Sequence, residues 1–188
     1  MGLAVLKLVF ATSNNHKVKE AAFTLAPYGI QVLAKPMKGV EIQDDDVGEV
    51  ARFSASFVPQ NQNPFFVEDT GLYVNSLRGF PGPFSAYVFR TIGNEGLLKL
   101  LGEDRTAYFE SAVALRIRDM VKVFKGRIDG RISYNVRGDK GFGFDPVFIP
   151  EGMEKTLGEM ELEEKCSISH RARALRMMAE WLKENSEL

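Results

Sequence analysis

The spacing of apolar residues changes period part-way along this chain, and that change limits the folds open to it. Leu3 to Ala11 is a nearly unbroken apolar run, the pattern of a strand buried on both faces. After Thr12-Ser13-Asn14, the residues Val18, Ala21, Ala22 and Leu25 recur with the repeat of one helix face, which Pro27 and Gly29 bring to an end. Ile30 to Ala34 reads as a second strand, and Val47, Val50, Phe53 or Ser54, and Phe57 as one face of a second helix. Pro59 to Pro64 is a turn, and Phe65 to Val67 a third strand that ends at a polar motif. From Tyr108 the period becomes two. Phe109, Ser111, Val113, Leu115 and Ile117 share one face, with Glu110, Arg116 and Arg118 opposite. Met120 to Phe124 and Arg131 to Val136 continue as strands separated by glycines, and a last helix begins near Ser169 with Leu175, Met178 and Leu182 inward. Alternating βα units followed by antiparallel strands predict a mixed-sheet α/β fold with a cleft between two lobes, residues 1–188 forming a single domain.

Charge and cysteine content narrow the function classes. With 24 Lys and Arg against 25 Asp and Glu, the net charge is -1, which argues against a dedicated nucleic-acid or membrane-surface binder. The single cysteine, Cys166, rules out an intramolecular disulfide and fits a reducing compartment. No apolar run reaches membrane-spanning length, and a cytoplasmic location is expected.

Four segments carry residues that packing alone does not ask for. Thr12-Ser13-Asn14-Asn15-His16-Lys17 lies between a strand and its helix, where backbone N–H groups and a lysine suit a phosphate. An ordinary N-cap by Ser13 or Asn14 explains the same residues equally well. Glu41, Glu68 and Asp69 form an acidic set at strand ends. They are hard oxygen ligands of the kind Mg²⁺ takes, and within such a pair one carboxylate can ligate while the other accepts a proton. The run Asp44-Asp45-Asp46 reads instead as a solvated start to the second helix. Gly141-Phe142-Gly143-Phe144-Asp145-Pro146 offers close backbone approach and a stacking ring, or simply a tight turn with core aromatics. Lys165 to Arg171 places His170 and Arg171 at a helix start, the end that disfavours cations, although His170 could equally be an exposed polar residue.

Taken in order, Thr12-x-Asn14-x-x-Lys17, Glu41, Glu68-Asp69-Thr70-Gly71, Gly79-x-Pro81-Gly82, Phe142 to Pro146 and Ser169-His170-Arg171 resemble the inosine triphosphate pyrophosphatase family end to end. That resemblance implies an elongated fold with a long central mixed sheet, a homodimer, and Mg²⁺-dependent hydrolysis of ITP, dITP and XTP to the monophosphate and pyrophosphate. It also implies that Thr12 to Lys17 and Thr70 hold the nucleotide, and that Glu41, Glu68 and Asp69 serve the metal. By the same resemblance Asp69 looks like the proton acceptor as well, and Phe142, Gly143, Phe144, Asp145, Lys165, His170 and Arg171 look like the base pocket. Two places depart from the family pattern. Ser54 stands where a lysine is common, and Phe84-Ser85-Ala86-Tyr87 lacks the Ser-Ala-Arg of many bacterial members. Other readings of the residues are a nucleotide sensor without catalysis, an RNA binder using Arg171, Arg173 and Arg176, and a pyrophosphatase for modified pyrimidines.

Overall fold

The computed structural model describes residues 5–36, 42–59 and 64–185. β1 (Leu6–Ala11), α1 (Asn15–Leu25), β2 (Ile30–Lys35), α2 (Val47–Phe57) and β3 (Phe65–Val74) follow in turn. Then come β4 (Pro81–Gly82), α3 (Ser85–Lys99), β5 (Thr106–Ile117), β6 (Met120–Ile132), β7 (Phe148–Pro150), α4 (Leu162–Ile168) and α5 (His170–Glu184). They form one open seven-stranded mixed sheet in the order β2-β1-β3-β5-β6-β7, with β4 also on β3. β1 runs parallel to β2 and β3, and every pairing from β3 onward is antiparallel. Among the described residues no helix is long and apolar enough to cross a membrane.

Three apolar clusters hold the sheet. Phe10, Phe66, Val113 and Leu115 pack with α1 and α5 on one face, and Phe65, Val67, Ala112 and Ala114 pack with α2 on the other. The far end forms its own cluster, in which Leu72, Phe109 and Ile128 meet Phe144, Phe148 and Leu157. The two-lobed α/β reading is therefore borne out. The expected polar face of β5 is not, because α2 covers it. Arg116 is buried there, and its Nη1 donates to the carbonyls of Ala55, Ser56 and Val58 at 3.2–3.3 Å, at the C-terminal end of α2 where a cation is favoured.

The glycines after the expected Met120–Phe124 strand do not interrupt it; β6 is a single strand of 13 residues that ends at Ile132, so the expected Arg131–Val136 strand is only its last two residues. Close approach explains the glycines. A Cβ on Gly126 would meet the His170 carbonyl oxygen at 2.1 Å and the Ala174 nitrogen at 2.5 Å, so only glycine lets the first turn of α5 lie on the strand. Gly126→Ala, read by urea unfolding, should lower stability by about 3 kcal/mol, since backbone rather than a flexible side chain must yield. A loss below about 1 kcal/mol would mean that α5 can shift freely there.

β3 also runs further than the sequence suggested. The Glu68-Asp69-Thr70-Gly71 motif lies inside the strand rather than at its mouth, because β5 pairs with β3 from Phe65 through Val74. The opposite edge explains the polar composition. β1 pairs only at Phe65 and Phe66, and β4 only at Leu72 and Tyr73. The residues between them have no partner strand on that edge among those described. Gly71 permits β4 to cross there, since a Cβ would lie 2.8 Å from the Gly82 carbonyl carbon.

Candidate active site

Alternation along β3 sends adjacent carboxylates to opposite faces of the sheet. Phe66 and Leu72 face the α1 and α5 side and its continuation, whereas Phe65, Val67 and Tyr73 face α2. Glu68 follows the first set and Asp69 the second.

On the first side a cleft of about 520 Å³ opens between the lobes. Its near wall is Ser13, Asn14, His16 and Lys17 at the start of α1, with Thr70 on β3. Asn14 is the N-cap; its Oδ1 accepts from the N–H groups of His16 and Lys17 at 2.9 and 3.2 Å. Thr12 Oγ1 accepts from the Asn14 N–H at 3.1 Å and braces the turn, and Asn15 opens the helix. The capping reading is thus correct, and any phosphate site here rests on Lys17 and the hydroxyl and amide side chains more than on a row of free amides. Lys17 Nζ lies 2.8 Å from Glu68 Oε2 and donates to the Glu68 carbonyl at 2.9 Å. An ammonium has three N–H donors, so one is left for a ligand.

The far wall is Phe142, Gly143, Phe144 and Asp145, and the floor is His170 and Arg171. Beneath them lies a buried charge network that the sequence reading did not foresee in full. Lys165 donates to Glu20 Oε1 and to Asp145 Oδ2, both at 2.6 Å. Arg171 donates from Nη1 to Glu20 Oε2 at 2.5 Å, from Nε to Glu68 Oε1 at 3.1 Å and from Nη2 to Thr70 Oγ1 at 3.2 Å. The hydroxyls of Ser111 and Thr70 also donate to Glu68 Oε1. Burial would raise the Glu68 carboxyl, but the charges of Arg171 and Lys17 outweigh it and hold the group well below the usual carboxylate range. Burial likewise opposes ionisation of Glu20 and is outweighed by Arg171 and Lys165. Asp145 goes the other way: burial raises it, and Lys165 offsets this only in part.

His170 is buried, not exposed, and its ring stacks on Phe109 with centroids 4.6 Å apart and planes 11° apart. Neither ring nitrogen has a hydrogen-bond partner. Burial, and then the charges of Arg171 and Lys165, push it well below the ordinary histidine value, so the imidazole is neutral. The unfolded chain therefore takes up a proton below about pH 6.5 that the folded one refuses, and stability falls as pH drops through that value. Melting curves from pH 6.5 to 5 should show the wild type losing up to about 1.4 kcal/mol per pH unit more than His170→Phe, which keeps the stack without the titration. Parallel curves for the two proteins would contradict a neutral buried His170.

Asp69 lines a second cleft of about 370 Å³ on the α2 side, with Gln43, Asp44, Val50, Phe84 and Tyr87. The structure therefore parts the expected acidic set, with Glu68 bound into the cation network and Asp69 facing the other way. Glu41 lies outside the described residues. Asp46 caps α2 through the Gly48 N–H at 2.6 Å, as the solvated-run reading expects. Ser54 is buried on α2, while Arg52 is half-exposed and pairs with Glu49 at 3.3 Å, so it does not replace a lysine at position 54. Arg173 and Arg176 donate to the carbonyls of Arg127 and of Cys166 and Ser167, as helix-anchoring rather than ligand-facing groups.

The Ham1 family model matches residues 8–181. The chain belongs to the Ham1 family. Among its Ham1 relatives, a dITP/XTP pyrophosphatase of Thermococcus kodakarensis is 50% identical over 183 residues, covering 96% of this chain and 99% of the relative. One from Pyrococcus horikoshii is 47% identical, with 96% and 98% covered. The solved Ham1 protein of Staphylococcus aureus is 28% identical and superposes with a TM-score of 0.80, covering 95% of this chain and 99% of that one. The resemblance drawn from the six motifs is borne out.

Within this Ham1 chain, sequence reasoning missed Glu20, Phe109, Ser111 and the α3 residues Ser85 and Phe89 as parts of the site. Glu20 had a signal: Lys17, Glu20, Ala21 and Thr24 share one helix face, and all but Lys17 are buried. α3 had none, because its aromatic residues are spaced like an ordinary surface helix.

Proposed function

We propose that the protein hydrolyses deaminated purine nucleoside triphosphates (ITP, dITP and XTP) to the monophosphate and pyrophosphate, by attack of water at the α-phosphorus. The observation that carries this reading is the union, in one cleft, of a helix-start lysine with a buried floor of opposed donors and acceptors beneath an aromatic ring. A 6-oxo purine offers O6 as acceptor and N1–H as donor. Arg171 and the unpartnered N–H of His170 can meet O6, and Asp145 can accept from N1–H. Adenine reverses both groups and would leave buried polar atoms unpaired, a mismatch worth roughly 10⁴-fold or more. Lys17 then lies on the phosphate side, its charge spread over the leaving pyrophosphate.

The donors around Asp69 are all oxygen, with Asp44 and Gln43 beside it, and this suits a hard cation. We infer that Asp69 and Glu41 hold Mg²⁺. Glu68 Oε1 is engaged by Arg171, Ser111 and Thr70, and Oε2 lies beside Lys17 without a hydrogen-bond partner, so we assign Glu68 chiefly to the cations and leave Oε2 as its one oxygen open to the metal. When bound, Mg²⁺ neutralises phosphate charge and lowers the pKa of nearby water. Asp69 accepts the proton of the attacking water from the α2 side, reached past the edge of β3 that has no partner strand between Phe66 and Leu72 among the described residues, and Glu68 keeps Lys17 and Arg171 in place.

The test is turnover of ITP, dITP, XTP, ATP and GTP with and without Mg²⁺. Metal-dependent turnover of the first three, with ATP nearly untouched, is expected; GTP shares O6 and N1–H, so its turnover reads discrimination at the 2-position. Equal turnover of ATP would sink the base-reading account, and tight ITP binding without turnover would favour the sensor.

A further inference from the structure

The reading above gives His16 to the phosphates along with its neighbours, but its side chain does something else. His16 stands in the first turn of α1, its backbone pinned by the Asn14 cap, and its exposed imidazole reaches across the cleft to Phe142. The two rings lie with centroids 5.3 Å apart and planes 27° apart. Phe142 is meanwhile backed by buried cations, with Lys165 Nζ and Arg171 Cζ each 5.1 Å from its centroid. The result is a stacked pair with the exposed His16 ring on the solvent side and the half-buried Phe142 ring on the side of the cations. At this centroid distance and tilt the two rings are an ordinary stacked pair in contact, so a base enters between them only if they part to a plane separation of roughly 7 Å. His16 is the more exposed of the two, so it is the ring whose displacement disturbs the least packing.

We propose that His16 is a positioning residue for the base: the purine enters between the His16 and Phe142 rings, and His16 closes over its outer face. This rests on the nucleotide reading and assigns His16 to the base rather than to the phosphates. Stacking is tolerant of ring identity, so an aromatic replacement should serve, whereas a phosphate contact would need the imidazole nitrogens.

Calorimetric titration with IMP and with tripolyphosphate tests this without requiring turnover. His16→Ala should weaken IMP binding by about ten-fold, His16→Phe should restore it, and tripolyphosphate affinity should be the same in all three proteins. Unchanged IMP affinity in His16→Ala, a matching loss for tripolyphosphate, or tighter IMP binding once the ring is gone would each overturn the proposal. Wild-type turnover of ITP, measured alongside, separates failure of this assignment from failure of the functional reading.

Discussion

Asp69→Asn should lower kcat for ITP by about 10²–10⁴ while leaving the melting temperature and the affinity for ITP close to wild type. The expectation follows from where β3 sends the side chain. Asp69 lines the α2-side cleft, on the opposite face of β3 from Glu68, and the proposed function gives it the proton of the attacking water. Asparagine is close in shape but cannot accept that proton. Glu68→Gln is the informative contrast, because it sits one residue away and on the opposite face. It should lower stability, since Lys17 and Arg171 lose a shared buried counter-charge. If Glu68→Gln instead left stability intact and abolished turnover, while Asp69→Asn stayed active, the two roles would have to be exchanged.

Arg171→Leu should be the most destabilising change in the site, at about 3–5 kcal/mol. Arg171 is 2% exposed and pairs with both Glu20 and Glu68, which are themselves buried, so its removal leaves each carboxylate with a single cation, Lys165 and Lys17 respectively. Burial would then raise both carboxyls toward protonation, and the loss should shrink as pH is lowered below their ordinary value near 4.5. At roughly 2–4 °C per kcal/mol for a domain of this size, the fall in melting temperature at pH 7 is easily read. A shift of only a degree or two would show that water reaches Glu20 and Glu68 once the guanidinium is gone.

Much of the fold could be read from the sequence because its helices and strands obey their own periods. α1, α2 and α5 begin and end near the residues that Asn14, Asp46 and Ser169 mark as caps. The errors share a cause: tertiary partners overruled local signals. Gly126 and Gly130 look like strand breaks, yet they let α5 and β7 lie against an unbroken β6. Arg116 looks like a solvent residue and instead caps α2 from within the sheet layer. The Glu68-Asp69 pair looks like one acidic site, but once the motif is known to be strand, the alternation of side chains divides it. The residues of the proposed base pocket were legible through the family resemblance, and the structure brings them to one cleft, Lys165 from beneath. Its supporting carboxylate, Glu20, was missed: its place on the inward face of α1 beside Ala21 was the one local signal, and its partners Lys165 and Arg171 come from α4 and α5.

The most direct test of the account is hydrolysis of ITP in ¹⁸O-labelled water, with the label located in the products. Attack at the α-phosphorus predicts label in IMP and none in pyrophosphate. Label in pyrophosphate would mean attack at the β-phosphorus, and release of labelled inorganic phosphate would mean attack at the γ-phosphorus; either would contradict the mechanism built here on Asp69 and Lys17.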